Sequence, residues 1–342
     1  ATISYALANG QEIENLQLAP GTGTAALMLT GNEFDNVLVG NAGANTLVGA
    51  LGADTMSGGL GDDMYSVAQM GDRVIEAAGA GYDTILTQVS YTLANGQEIE
   101  SLQLAPATGT AALTLIGNEL DNLIVGNSGA NTLIGGGGLD TMSGGLGNDF
   151  YGVDGSLDRV IEAVGGGIDT VVAQVSYTLS PGQDIEYLQL STATTAGLSA
   201  TGNELDNILL GNAGGNLMVG LDGADILIGA AGADTLRGGA GNDIFRYANT
   251  ADSSTAGGRD LIQDVAAGDR IDLVAIDADT DTVGDQAFVR VGAFTGVDGQ
   301  LTVTYDAGTN QTTLNGDVNG DRIADFTLAA IGDLTQIPPI VY

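Results

Sequence analysis

Taken as apolar and polar positions, the chain resolves into short apolar runs separated by stretches of glycine, asparagine and aspartate. Over residues 30–65 the pattern is strict, reading TGNEFDNVL, VGNAGANTL, VGALGADTM, SGGLGDDMY. Six turn-forming residues precede about three strand-forming ones in each nine-residue unit. Four such units fill 116–151 and five fill 201–245. Glycine supplies the positive-φ backbone that so tight a turn needs. Two units close one coil of 18 residues, so the last position of each unit should point inward. Those positions are Leu38, Leu47, Met56 and Tyr65, then Ile124, Leu133, Met142 and Tyr151, then Leu209, Met218, Leu227, Leu236 and Phe245. The expected fold class is all-β, a right-handed parallel β-roll or β-solenoid whose stacked coils bury a thin, mainly aliphatic core.

A longer period contains the short one. Ser4-Tyr5, Ser90-Tyr91 and Ser176-Tyr177 stand 86 residues apart, and each is followed by a G-Q-[ED]-I-E-x-L-Q-L segment and then a G-N-E block. Between the blocks lie strand-like runs at 72–76, 83–89, 99–104 and 112–116, with no competing helical period. The solenoid is therefore expected to continue through them in longer, irregular coils, occupying 1–247 in three super-repeats. Residue 1 falls inside a unit, as in a fragment or processed product, and an open first coil would invite end-to-end self-association. After Tyr247 the repeats stop, and 248–342 reads as a cap.

Composition removes much chemistry. The 342 residues include no Cys, His or Trp, which excludes disulfides, thiol nucleophiles, Cys/His metal sites and any His-based triad. With 43 acidic and 8 basic residues the net charge is −35, so nucleic acid is repelled and a cation is the natural partner. Hydrophobic residues at 44% argue for a burying chain rather than a disordered one. No apolar run approaches the ~20 residues of a membrane span. Phosphate-loop and zinc-protease motifs are absent, and aspartate repeated at period nine is better explained by metal than by glycosidase chemistry.

The clearest units, Gly58-Gly-Leu-Gly-Asp-Asp63, Gly144-Gly-Leu-Gly-Asn-Asp149 and Gly238-Gly-Ala-Gly-Asn-Asp243, fit G-G-x-G-x-D-x-U-x and resemble the calcium-binding nonapeptide of the RTX (repeats-in-toxin) proteins. Residues 248–342, with Gly257-Gly-Arg-Asp260, Gly268-Asp-Arg-Ile-Asp-Leu273 and Gly316-Asp-Val-Asn-Gly-Asp321, resemble the C-terminal region of the serralysin-type metalloproteases. The resemblance implies a β-sandwich-like cap, Ca²⁺ as cofactor, the type I secretion machinery as partner, and folding outside the cell. It departs at 337–342, where the family carries an acidic residue before its last hydrophobics and Asp333 is the nearest here.

Gly-rich turns expose carbonyl oxygens and their Asp adds a carboxylate, so two turns one coil apart can offer the six to eight oxygens that Ca²⁺ takes. Residues 18 apart should pair: Asn36 with Asp54, Asn45 with Asp63, Asn122 with Asp140, Asn131 with Asp149, Asn207 with Asp225, Asn216 with Asp234, and Asp225 with Asp243. That makes about seven ions, and the last pair alone is fully acidic. Elsewhere Asn weakens the charge, and its tolerance of tight turns offers a purely conformational reason for it. A second class comprises Asp72, Glu76 and Asp83 with copies Asp158, Glu162 and Asp169. Alternation in D-R-V-I-E puts Asp72, Val74 and Glu76 on one face, either as an ion site or as a solvated edge. A third candidate is the loop of Asp317, Asn319, Asp321 and Asp325, spaced like the start of an EF-hand, though Arg322 replaces the expected Gly and Leu328 the closing Glu.

Three functions fit. The first is a non-catalytic, secreted, calcium-folded structural protein forming a surface-layer or fibre-like rod, which super-repeats of near-constant length favour. The others are the export and stabilising module of a larger secreted enzyme (protease, lipase or polysaccharide epimerase) and an adhesin.

Overall fold

The computed structural model describes residues 1–281, 284–335 and 340–341, so most of the tail at 337–342 lies outside the described residues. The chain forms two compact units, Ala1–Asp169 and Thr170–Tyr342. Both are built from short parallel strands, with three-residue 3₁₀ turns as the helical content among the described residues.

In the first unit, strands Tyr5–Ala6, Met28–Thr30, Thr46–Val48, Met64–Val67, Thr84–Thr87, Ser101–Leu104, Leu123–Val125, Thr141–Ser143 and Arg159–Ile161 make one nine-stranded sheet. The intervening strands form two ladders, Asn15–Gln17 through Arg73–Val74 and Tyr91–Thr92 through Phe150–Val153. The first ladder stops at Val74, whose N–H donates to the Tyr91 hydroxyl (3.4 Å) and whose carbonyl accepts from Gln97 Nε2 (2.5 Å). Side chains thus satisfy the groups that a further strand would have paired.

Register follows the expected coil. Leu29, Leu47, Tyr65, Ile85, Leu102, Ile124, Met142 and Val160 stand opposite one another along the nine-stranded sheet. Their steps are 18 residues within the blocks and 20, 17 and 22 between them, so the parallel pairing runs through the inter-block segments of this sheet. Loops absorb the extra residues while each inward position keeps its partner. All thirteen inward positions assigned from the sequence are fully buried.

In the second unit, strands Thr170–Ala173, Tyr187–Leu190, Ile208–Leu210, Ile226–Ile228, Ile244–Arg246, Arg270–Asp272 and Ile340–Val341 pair in parallel. The other sheet runs from Tyr177–Thr178 to Asp260–Ile262. It accepts Phe326–Ile331 in parallel, with Ile262 opposite Ala330, and then turns antiparallel through Gln311–Asp317 and Gln300–Asp306. The last-listed strands are thus an edge extension of the roll's own sheet. Tyr247, last residue of the repeat region, packs edge-on against Phe326 with ring centroids 5.4 Å apart.

Candidate metal centre

The Asx residues of the turns form hydrogen-bonded ladders. Backbone N–H of Asn36, Asn45, Asn122, Asn131, Asn207 and Asn216 donates to Oδ1 of Asp54, Asp63, Asp140, Asp149, Asp225 and Asp234, each 18 residues on, at 2.6–2.8 Å. Asp225 N–H donates likewise to Asp243 Oδ1 at 3.0 Å. The structure therefore brings together all seven pairs, but through backbone and one carboxylate oxygen. The asparagine amides are already engaged: Asn36 Oδ1 accepts from Asn32 N–H at 2.8 Å, and its Nδ2 donates to the Ile13 carbonyl at 2.8 Å.

The second carboxylate oxygen is different. Oδ2 of Asp54, Asp63, Asp83, Asp140, Asp149, Asp225, Asp234, Asp243 and Asp260 is buried with no hydrogen-bond partner. Burial pushes Asp54 and Asp149 up to about 6, and Asp63, Asp83, Asp140, Asp225 and Asp234 up to about 7; the accepted backbone N–H opposes this, and nearby carboxylates add to it. Asp260 is pushed to about 8 by the same burial. Among the described residues the ion pair found is Arg246 Nε with Asp272 Oδ2 at 3.0 Å, which is half-buried and includes none of these carboxylates. Buried anions without such compensation are costly unless a cation joins them.

The turns offer such a cation an oxygen niche. A Cβ placed on Gly220 would lie 2.1 Å from Asp225 Oδ2 and 2.5 Å from the Gly238 carbonyl oxygen, so a carboxylate and a carbonyl of neighbouring coils converge where glycine has no side chain. On Gly58 a Cβ would stand 1.9 Å from Asp63 Oδ2. Hard oxygen donors, carbonyls included, suit Ca²⁺ better than Mg²⁺, which demands a tighter octahedron.

Two further groupings repeat. Asp63, Glu76 and Asp83 each offer a carboxylate oxygen within 4.8 Å of the others, and Asp149, Glu162 and Asp169 do the same. The sequence grouped Asp72 with Glu76, and the structure separates them. All of Asp72, Val74 and Glu76 are buried, which removes the solvated-edge alternative, yet Asp72 serves another turn. It accepts from Asp54 N–H at 3.1 Å and from Ala68 and Gln69 N–H at 2.9 and 3.0 Å. Asp63 takes its place beside Glu76. In the second copy Asp158 lies instead with Asp140 and Asp154.

The EF-hand-like residues close their own loop between Gln311–Asp317 and Phe326–Ile331. Asp317 accepts from Gly320 and Arg322 N–H at 2.8 and 3.0 Å, Asp321 from Ile323 N–H at 2.7 Å, and Asp325 from Val318 N–H at 3.0 Å. Asn319 Oδ1 accepts from Asp321 N–H at 3.0 Å.

Sequence reasoning missed four participants. Asp260 and Asp269 continue the ladders at a step of 26, accepting from Asp234 and Asp243 N–H. Glu100 accepts from Asp83 N–H at 2.7 Å, and Asp154 joins Asp140. Extending the rule that each turn Asx caps the coil before it would have found the first two.

The family model "Peptidase M10 serralysin C terminal" matches residues 24–342, and the chain belongs to that family of calcium-binding-type repeats. A stretch of 68 residues, 20% of the chain, is 43% identical to the endo-1,3-1,4-beta-glycanase ExsH of Rhizobium meliloti (strain 1021), covering 14% of that protein. Another of 80 residues, 23% of the chain, is 40% identical to the metalloprotease AprA of Pseudomonas entomophila (strain L48), covering 16% of it. The chain thus matches about a sixth or less of these relatives. The solution structure of the AlgE6R2 subunit of the Azotobacter vinelandii mannuronan C5-epimerase aligns over 44% of the chain and 94% of its own, at 24% identity and TM-score 0.31.

Proposed function

We propose that this chain is a secreted, non-catalytic β-roll that folds on calcium outside the cell and serves as a calcium-stiffened structural element of a surface layer or fibre. The observation that carries the reading is the set of nine buried aspartates whose second oxygen has no partner. Such a set is tolerable when cations complete it, and ion-binding energy then becomes folding energy. On this reading about seven ions occupy the turns of 30–65, 116–151 and 201–245. Residues 248–342 act as the cap that covers the end of the solenoid. The family supports export through a type I channel from a low-calcium cytoplasm.

A second reading is favoured by the relatives: a glycanase and a metalloprotease carry matching stretches, so the chain would be the export and stabilising module of a larger enzyme. Far-UV circular dichroism during a calcium titration, with the intact mass of the native protein, separates the two. Cooperative appearance of strand signal with calcium, at the mass of these residues alone, supports the structural role. A much larger native mass transfers the function to an attached domain, and strand signal indifferent to calcium removal refutes both.

A further inference from the structure

Each of the first two nonapeptide blocks ends in a tyrosine where the other units of those blocks carry Leu, Ile or Met. Tyr65 and Tyr151 are fully buried, and their hydroxyls are fixed on both sides. Tyr65 accepts from Gly58 N–H at 2.7 Å and donates to Glu76 Oε2; Tyr151 accepts from Gly144 N–H at 2.7 Å and donates to Glu162 Oε2. The partner glutamate is itself buried and belongs to the three-carboxylate grouping with the last Asp of the block and the Asp one coil on. In the first copy, Asp63 and Asp83 are 2% and 0% exposed, and both direct an unpartnered Oδ2 inward. A Cβ on Gly58 would touch both that Asp63 oxygen and, at 2.6 Å, the Tyr65 hydroxyl, so the tyrosine borders the same niche.

We infer that Asp63/Glu76/Asp83 and Asp149/Glu162/Asp169 are two equivalent divalent-cation sites, built on the last nonapeptide turn of each block and closed by Tyr65 and Tyr151, that bind Ca²⁺ more tightly than the other turns do. The inference rests on the calcium-folding reading above and deepens it. Opposed ligands of one Ca²⁺ lie about 4.6–5.2 Å apart, twice the Ca–O distance, whereas about 4.2 Å is the span for Mg²⁺. Ligand oxygens within 4.8 Å of one another are close enough for one divalent ion to bind all three. Three carboxylates exceed the one or two of the turn pairs, and affinity rises with ligand charge. The ligands also come from three separate stretches, the last turn of a block, the segment just past strand Arg73–Val74 or Arg159–Ile161, and the turn of the next coil. Occupancy ties the block to the irregular coil behind it.

The absence of tryptophan makes tyrosine the sensitiser of Tb³⁺ emission in this protein. In the second copy Ile168 stands where the first has the exposed Tyr82, so Tyr151 reports there without that neighbour. Calcium-stripped full-length chain is titrated with Tb³⁺ under tyrosine excitation, and bound Ca²⁺ is counted by equilibrium dialysis. The expected result is an early emission phase that Tyr65→Phe/Tyr151→Phe abolishes. Glu76→Gln/Glu162→Gln should shift that phase about tenfold or more to higher Tb³⁺ and remove two Ca²⁺ per chain, while Asp225→Asn leaves the phase in place. An early phase and an ion count unchanged in both double variants overturn the inference even though calcium still folds the parent. If the glutamine variant fails to fold, the phenylalanine variant decides. Should the parent's strand signal ignore calcium altogether, the calcium-folding reading itself falls, which is a different outcome.

Discussion

Stripped of calcium, the roll should be unfolded at neutral pH and should regain strand structure in acid. Eight of the buried turn aspartates, Asp54, Asp63, Asp83, Asp140, Asp149, Asp225, Asp234 and Asp260, are raised from 3.8 to about 6–8 by burial. A carboxyl raised in the folded state holds its proton more tightly there than in the unfolded chain. The stability it contributes is complete below the unfolded value of about 4 and is lost as pH climbs through the folded value. Ionising one such group in an ion-free roll costs about 3–6 kcal/mol before relaxation, and water entry and relaxation reduce this to roughly half. Summed over the eight, on the order of 15 kcal/mol is lost between about pH 4 and 8, which matches or exceeds the 5–15 kcal/mol of an ordinary domain. Calcium reverses the cost by pairing each carboxylate.

The assay is far-UV circular dichroism of protein stripped on a chelating resin, read from pH 4.5 to 8, with light scattering to confirm a single molecular size. Strand signal should fall as pH rises and return on adding calcium at pH 7.5, with release of protons wherever carboxyls were still protonated. A calcium-free signal that stays flat across this range, or grows with pH, would refute the reasoning, because the buried carboxylates would then be compensated by something else.

Asp225→Asn and Asp243→Asn should weaken calcium binding in the third block more than Asn36→Ala does in the first, since they remove charge from a pair in which both residues are acidic; calorimetric titration checks the order. Leu133→Ala empties a fully buried position and should cost about 2–5 kcal/mol in urea unfolding at saturating calcium, with the ion count unchanged. Gly58→Ala puts a Cβ 1.9 Å from Asp63 Oδ2 and should lower calcium affinity at that turn, whereas Gly21→Ala, at a glycine with no neighbour within 4 Å and no left-handed backbone, should leave it alone.

Where the sequence repeats every nine residues, both turn and strand were legible. Each inward residue from Leu38 to Phe245 is buried because one period sets where the chain bends and which side chain faces in. The Asx pairing was legible for the same reason. Between the blocks no period exists to set register. Steps of 20, 17 and 22 residues come from loops that adjust their length around fixed inward positions, and only packing decides among them. Glu76 illustrates the loss: alternation put it on one face with Val74 but left open whether that face was buried, and its partners Tyr65 and Asp63 lie more than ten residues back and meet it across a coil. The same limit hid Asp260 and Asp269, which take up the ladders after a 26-residue excursion.

An 86-residue repeat holding nine strands turns its copy over. Strands alternate between the two sides of the coil, so an odd number per repeat places equivalent strands on opposite sides. Tyr5–Ala6 lies in the nine-stranded sheet, and its copy Tyr91–Thr92 lies in the opposing ladder. Met64–Val67 and Phe150–Val153, the strands that follow Asp63 and Asp149, divide in the same way, so the two three-carboxylate groups sit in turns on opposite flanks of the first unit. Neutralisation by cations then stiffens both flanks rather than bowing the coil toward one. The chain lacks cysteine, which permits a direct test with spin labels on cysteines at Leu60 and Leu146, exposed copies 86 residues apart. Four and a half coils at about 4.8 Å separate them by about 22 Å along the axis, to which the width of the roll adds. Deleting the nonapeptide 127–135 brings both labels to one flank, about 19 Å apart with no contribution from the width. Pulsed dipolar spectroscopy should show the distance shorten clearly on deletion. An unchanged or longer distance would mean that the repeats do not alternate, and that each copy presents the same flank.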